Sequence, residues 1–263
     1  MTIKTFAIEY DALNDRNTFS NGNTLTGRVI VEITKETKIK DVTVKAKGKA
    51  DVSFTVSQGQ QSVTYWDNEK YFSQTQSVLP QDKAPGSVSL VAGRHVLPFA
   101  FQLPYQGLPS SFKGAYGKID YRLSANLSRS LRAASKAEVK FTFVSQADYD
   151  QPTLMAPQHG SKDKNVVFFA SGNISMDIFL PKSGYQQGEG LVVNGEIVNS
   201  STRKIVPKEK LSKLLPVPLG ITPTIQNCRI LKVEYGLKII LDVSFTKNPV
   251  IKLPLIILPI DGL

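Results

Sequence analysis

One segment of this 263-residue chain occurs twice. It reads PSSFKGAYGKIDYRLSANL from Pro109 and PTIQNCRILKVEYGLKIIL from Pro223. In both copies a β-branched residue follows ten places after the proline, and then an acidic residue, a tyrosine, any residue and a leucine. A shorter repeat, two glycines five places apart before an apolar run, begins at Gly22 and again at Gly190. The repeats predict two copies of one module in tandem, because each copy needs the same strand at the same place in its core.

The hydrophobic pattern inside both copies has a period of two residues. Val29, Val31 and Ile33 alternate with other residues, and further runs of this kind follow, separated by turn sequences such as SNGN, APGS and TKNP. Many short strands with Gly, Pro and Asn between them are typical of antiparallel sandwiches. The chain is therefore predicted to be all-β, with two tandem immunoglobulin-like sandwiches.

The stretch 146–165 has no periodicity and contains two prolines. We predict an N-terminal domain over 1–150, a linker over 151–165 and a C-terminal domain over 166–263. The second copy is shorter, because 77 positions separate Gly27 from Pro104 but only 23 separate the equivalent Gly195 from Pro218. At roughly five or six residues per strand, the second sandwich lacks several middle strands.

The net charge is +10 and is spread over both halves of the chain. Such a charge favours anionic partners in general, which include phosphoproteins, acidic lipid and nucleic acid. The single cysteine allows no intrachain disulfide, and the N-terminal sequence MTIKTFAIEY lacks the layout of a secretory signal. These features predict a cytoplasmic protein.

The sequence KAKGKA places three lysines at alternate positions of a predicted strand. Val42, Val44 and Ala46 would then face the core, and the lysines would form a row on the opposite face. A second basic cluster lies in SRSLRAASKAEVK. The candidate anion-binding or cargo-binding residues are Lys45, Lys47, Lys49, Arg129 and Arg132. The alternative interpretation is a solvated strand face that protects a sheet edge, and a solvated loop around the arginines.

The sequence contains no pattern that supports catalysis. His95 and His159 are the only histidines and lie far apart, and the motifs of nucleophilic, metal and nucleotide sites do not occur. We therefore predict no catalytic residue, no metal and no cofactor. Tyr121 and Tyr235 are expected to share a structural role, a buried ring with a hydrogen-bonded hydroxyl, and Trp66 is expected to be packed.

Several segments in series resemble the α-arrestins, the arrestin domain-containing proteins. They are FSNGNTLTGRVIVEITKETKIKDVTVKAKGKA, GRHVLPFAFQLP, LPSSFKGAYGKIDYRL and NCRILKVEYGLKIILDV. The resemblance implies two arrestin-type sandwiches in a cytoplasmic adaptor that is peripheral at the plasma membrane and endosomes. Its partners would be membrane receptors or transporters, which such an adaptor links to endocytic sorting and ubiquitination machinery.

This chain differs from that family in two respects. The Pro-Pro-x-Tyr motif, through which WW-domain ubiquitin ligases are recruited, does not occur, and the middle of the second sandwich is missing. One alternative is therefore a truncated isoform without ligase recruitment, either non-functional or dominant negative. A basic sandwich that binds nucleic acid or acidic lipid ranks lower. Nucleic acid is not an expected partner, because KAKGKA has no aromatic residues between its lysines.

Overall fold

Both halves of the chain fold into sandwiches of β-strands, which confirms the predicted fold class. The computed structural model describes residues 2–59, 61–79, 87–105, 107–146, 151–165, 172–201, 208–243 and 248–260. The chain divides into two units. The first unit contains the residues up to 146 together with 226–232, and the second contains 147–225 and the residues from 233 onward.

The first unit is built from two main sheets. Its strands are β1 (Ile3–Tyr10), β2 (Thr18–Phe19), β3 (Thr24–Ile33), β4 (Thr37–Ile39), β5 (Asp41–Gln58), β6 (Gln61–Ser77), β7 (Val88–Leu90), β8 (Gly93–Gln102), β9 (Phe112–Lys113), β10 (Gly117–Arg129) and β11 (Arg132–Phe143). One sheet has the order β1-β3-β8, and the other has the order β2-β11-β10-β5-β6 with β9 beside β10. Strands β4 and β7 form a separate antiparallel pair.

The core of the first unit follows from strand alternation. Every second residue of β10 is apolar and points inward, and the side chains of these residues are at most 1% exposed: Ile119, Tyr121, Leu123, Ala125 and Leu127. Burial of such a face is the main source of stability for a sandwich. The intervening polar residues of β10 face the other way.

The second unit repeats this plan with fewer strands. Its elements are α1 (Gln151–Met155), β12 (Gln158–Asn165), β13 (Asn173–Leu180), β14 (Gly184–Gln186), β15 (Gly190–Asn199), β16 (Lys208–Pro216), β17 (Tyr235–Ile240) and β18 (Val250–Leu258). The two sheets have the orders β12-β13-β15-β16 and β14-β18-β17.

The two units correspond strand by strand. Strands β13, β15 and β16 take the places of β1, β3 and β8, while β14, β18 and β17 take the places of β2, β11 and β10. The pairs β2–β11 and β14–β18 are both parallel, which supports this correspondence. No described strand of the second unit takes the place of β5 or β6. Over its described residues, the second sandwich therefore lacks the middle strands, in agreement with the prediction.

The repeated tyrosines make the same hydrogen bond in both units, as predicted, but only Tyr121 is buried and Tyr235 is half-buried. The Tyr121 hydroxyl donates a hydrogen bond to the Pro109 carbonyl oxygen at 2.6 Å, and the Tyr235 hydroxyl donates one to the Thr222 carbonyl oxygen at 2.6 Å. Burial raises the pKa of both hydroxyls. Each bond links the strand that carries the tyrosine, β10 or β17, to the loop that precedes that strand.

The stretch that we interpret as a linker, 151–165, contains regular structure. Its first five residues form α1, and its last eight form β12, which pairs with β13 from Gln158↔Leu180 to Asn165↔Asn173. No periodicity marked β12 because most of its side chains are exposed, and the backbone ladder holds this strand without alternation of apolar residues. The domain limits at 150 and 166 stay predictions.

Candidate anion-binding site

The three lysines of KAKGKA lie on β5 with the orientation that the sequence predicts. The inward side chains Val42, Val44 and Ala46 are fully buried. Lys45 is exposed, and Lys47 and Lys49 are half-buried on the opposite face. The lysine row therefore belongs to the outer face of the six-stranded sheet.

Pairing with neighbouring strands adds more cations to this row. Lys47 lies opposite Arg122 of β10, and Arg122 lies opposite Lys140 of β11. On the other side, Lys49 lies opposite Lys70 of β6. We name this surface the basic face, and its cations are Lys45, Lys47, Lys49, Lys70, Lys113, Lys118, Arg122, Lys136 and Lys140.

Carboxylates neutralise only part of the basic face. Asp120 lies 3.0 Å from Lys140, 3.4 Å from Arg122 and 3.5 Å from Lys118, and Lys49 lies 2.7 Å from Asp51. Although burial raises the pKa of the Asp120 carboxyl, the three cations outweigh that effect and lower it. The carboxylates that share this face are Asp41, Asp51, Asp120 and Glu138, fewer than half as many as the cations. A positive surplus remains.

Lys47 lies among several other cations of the basic face. Burial lowers the pKa of its ammonium group, and the nearby cations Lys49, Lys45, Arg122 and Lys70 lower it further. The Arg122 Nε atom is buried and has no hydrogen-bond partner among the described residues. An anion beside Lys47 would relieve the repulsion among these cations.

A shallow groove of about 620 Å³ lies at one end of the basic face. Lys45 and Lys136 line it together with the polar side chains of Thr43, Ser124 and Asn126. The carboxylate of Glu138 also lines it and is paired with Arg122 at 3.0 Å. Ammonium, hydroxyl and amide groups are the donors that bind phosphate or carboxylate oxygens. The groove can therefore hold an anionic group beside the lysine row.

The two predicted arginines do not join this groove. Arg129 and Arg132 pair across the turn between β10 and β11. They line a different cavity of about 620 Å³, together with Lys4 and Lys35. Arg129 Nη2 donates to the Ala133 carbonyl oxygen at 3.5 Å, so part of its donor capacity is used. The five candidate residues therefore form two sites rather than one.

Sequence reasoning missed part of the basic face and was wrong about one residue. Strand register determines which cations join the lysine row, and a single sequence does not reveal it. The cations missed for this reason are Lys70, Lys118, Arg122 and Lys140. Trp66 is 73% exposed rather than packed, because no described strand covers the outer face of the long hairpin at its position opposite Ser53. The alternation of charged residues in β10 was the available signal for Arg122.

Groups capable of catalysis stay apart in the described residues. His95 Nε2 contacts the Val91 carbonyl oxygen at 2.9 Å, whereas His159 Nε2 contacts Asp177 at 3.1 Å. Within the ranges that the structure covers, no three His, Cys, Asp or Glu side chains could hold a metal ion. None of the helical residues described forms a segment with the length and hydrophobicity that crossing a membrane would require.

Comparison with known proteins adds to this geometry. Residues 6–150 match the family model "Arrestin (or S-antigen), N-terminal domain", and residues 207–261 match "Arrestin (or S-antigen), C-terminal domain". Thioredoxin-interacting protein of Homo sapiens is 28% identical over 302 aligned residues, which cover 99% of this chain and 76% of that protein. Arrestin domain-containing protein 4 of Mus musculus is 27% identical over 290 residues, which cover 93% of this chain and 70% of that protein.

The longer of these alignments contains more positions than this chain has residues, 302 against 263. That relative therefore carries residues that are missing here, in agreement with the shortened second sandwich. The first family model alone covers more than half of the chain. The chain therefore belongs to the arrestin family, and within it to the α-arrestins.

Proposed function

We propose that this chain is an adaptor in membrane-protein trafficking, which links receptors or transporters at the cell surface to endocytic sorting and ubiquitination machinery. Arrestin family proteins are generally non-catalytic adaptors that bind membrane proteins. The proposal extends this adaptor role to membrane-protein cargo at the plasma membrane and endosomes. The observation that carries it is the basic face of the first unit, which has more than twice as many cations as carboxylates.

The strength of this face fits a contributor to binding rather than a complete anchor. At about 1 kcal/mol per basic residue near an acidic leaflet, Lys45, Lys47 and Lys49 supply roughly 3 kcal/mol. That is a millimolar attraction at best, and salt screens it beyond ~8 Å. We therefore propose that the basic face orients the adaptor at an acidic membrane surface while cargo contacts provide the remaining affinity.

The test replaces the lysine row and measures membrane binding. We expect Lys45→Glu, Lys47→Glu and Lys49→Glu together to lower the affinity for phosphatidylserine vesicles about 100-fold or more, because three favourable charges become unfavourable. Sedimentation with the vesicles measures this affinity. The matched control changes three exposed lysines of the second unit, Lys162, Lys210 and Lys252, to Glu. Equal binding by the two triple variants would refute the role of the basic face.

Proximity labelling in cells tests the adaptor role itself. The unaltered chain should label receptors or transporters together with sorting proteins and ubiquitin ligases, and the lysine-row variant should lose the cargo. Labelling of neither cargo nor sorting proteins by the unaltered chain would refute the adaptor proposal.

A second candidate is a dominant-negative short form, which the missing middle strands favour. Such a form would bind cargo but label no ubiquitin ligase, so the same labelling experiment separates the two candidates. The exposed Trp66 also justifies a salt titration with single-stranded nucleic acid. We expect little binding at ~150 mM salt, because stacking at one aromatic residue leaves most of the attraction to screened charges.

A further inference from the structure

Strand β17 has a free backbone edge. It pairs with β18 on one side, and no described strand pairs with its other side. The Leu241 amide donates to the Pro249 carbonyl oxygen at 3.1 Å, so the odd-numbered residues of this strand turn their backbone groups toward β18. Gly236, Lys238 and Ile240 therefore direct their N–H and C=O groups to the free edge, and all three residues are exposed.

The apolar side of β17 is also incompletely covered. Its inward residues Tyr235, Leu237, Ile239 and Leu241 are only half-buried. Their equivalents in the repeat, all on β10, are at most 1% exposed: Tyr121, Leu123, Ala125 and Leu127. The same strand is therefore an interior strand in the first unit and an edge strand with a partly exposed apolar face in the second.

The first unit provides the cover that this strand needs. There β5 pairs with β10 in antiparallel fashion, on the edge that is free in β17. Gly48 of β5 lies opposite Tyr121, and a Cβ atom there would stand 2.6 Å from the tyrosine ring. The remaining inward residues of β5 are small or β-branched, and they are Val42, Val44, Ala46 and Ala50. A covering strand must therefore be extended and apolar at alternate positions, with a glycine opposite the tyrosine.

We propose that the free edge of β17 binds an extended segment of a partner protein, which adds to the sheet as an antiparallel strand. Its main chain bonds to the free backbone groups, its alternate small apolar residues cover the inward face, and a glycine lies opposite Tyr235. This surface lies in the second unit and goes beyond the proposed role of the basic face, so either proposal can fail alone.

A second copy of the chain fits this edge less well. If β17 paired with its own copy so that Gly236 lay opposite Tyr235, Leu237 would lie opposite Glu234. Every antiparallel register that keeps the apolar residues on one face places an odd-numbered residue, and never Gly236, opposite Tyr235. A partner strand with glycine at the required position satisfies both conditions.

The repeat supplies the probe for a direct test. A fluorescent peptide with the β5 sequence from 41 to 50, DVTVKAKGKA, is titrated with the full chain in a polarisation assay. A second peptide carries Val44→Ala, because Ile239 replaces the smaller Ala125 at that position of the strand. We expect at least one peptide to bind saturably, and its Gly48→Val version to bind about tenfold more weakly or worse, because the added side chain meets Tyr235.

Two variants of the full chain locate the binding site. Lys238→Pro removes an outward N–H and leaves the ladder to β18 intact, whereas the control Lys238→Ala keeps that donor. We expect the proline variant to lose binding about tenfold or more, the alanine variant to retain it, and both to unfold at the same temperature.

Three results would overturn the proposal. Neither peptide binds, or the proline and alanine variants bind alike, or the chain by itself forms dimers that Lys238→Pro dissociates. The last result would assign the edge to a second copy.

Discussion

Tyr121 and Tyr235 show what one residue contributes to each sandwich. Both hydroxyls donate to a backbone carbonyl oxygen at the same short distance, but Tyr121 is buried and Tyr235 is only half-buried. Loss of a hydroxyl leaves a carbonyl without its partner, and the cost is larger where water cannot replace it. The two positions therefore form a natural comparison of the same bond in two environments.

We expect Tyr121→Phe to lower the free energy of unfolding at pH 7 by about 1–2 kcal/mol, and Tyr235→Phe to lower it by less. Because burial raises the pKa of Tyr121 above its ordinary value near 10, the folded state keeps this proton at a pH where the unfolded state releases it. The stability from this group is complete below about pH 10 and is lost as the pH rises further.

Denaturant titrations between pH 7 and pH 12 measure this effect. The loss of stability above pH 10 should be less steep in Tyr121→Phe than in the unaltered chain. Identical slopes in the two proteins would contradict the assignment.

The residues of the basic face also indicate how far sequence reasoning reaches. Strand alternation was enough to place Lys45, Lys47 and Lys49 on one outer face. It could not bring Arg122 beside Lys47, because cross-strand neighbours depend on register. It also could not place Lys70 opposite Lys49, because that pairing follows the bulge between Gly48 and Lys49.

At the level of elements, one segment of the repeat makes different contacts in its two copies. In the first copy, 112–118, residues Phe112 and Lys113 form β9 and pair with β10. In the second copy, 226–232, the segment is part of the first unit, although the residues on either side belong to the second. Cys228 lies in this segment, and its side chain is only 1% exposed.

Carboxylates of β6 hold the segment 226–232 in place. The Arg229 amide donates to Glu69 at 2.7 Å, and its guanidinium lies 3.1 Å from Asp67. We expect Arg229→Glu to repel both carboxylates and to release the segment, so that Cys228 reacts with a thiol reagent about tenfold faster or more. The control Lys238→Glu makes the same charge change at an exposed position of β17 and should leave the rate unchanged. Equal reaction rates in the two variants would contradict this role.

At the scale of the whole molecule, the two units differ in how completely their sheets are covered. Strands β10 and β17 share a position in the repeat, but among the described strands only β10 has neighbours on both sides. Local opening is easier where few apolar contacts must break. The second sandwich should therefore open more readily than the first.

Hydrogen exchange can compare the two sandwiches within one sample. We expect the Leu237 amide to exchange at least about tenfold faster than the Leu123 amide, which occupies the same position of the repeat. The Leu123 amide serves as the internal reference, so pH and temperature are matched. Equal exchange rates would contradict the inference that the missing strands weaken the second unit.

The sequence predicted the two sandwiches and the shortening of the second better than it predicted individual strands and long-range contacts. The repeat and its unequal spacing were enough to predict two sandwiches and a loss of middle strands in the second. The strand β12 was missed because its exposed side chains carry no alternation. The assignment of 226–232 to the first unit depends on contacts between distant parts of the chain, such as Arg229 with Asp67, and no local pattern encodes them.

Among the described residues, the long hairpin of β5 and β6 belongs to one copy of the module only, while the strands that carry the bonded tyrosines, β10 and β17, occur in both. The repeat thus separates a shared frame from an arm that one copy carries alone. Differences in what the two halves recognise should be concentrated in that arm, because changing it leaves both tyrosine hydrogen bonds in place.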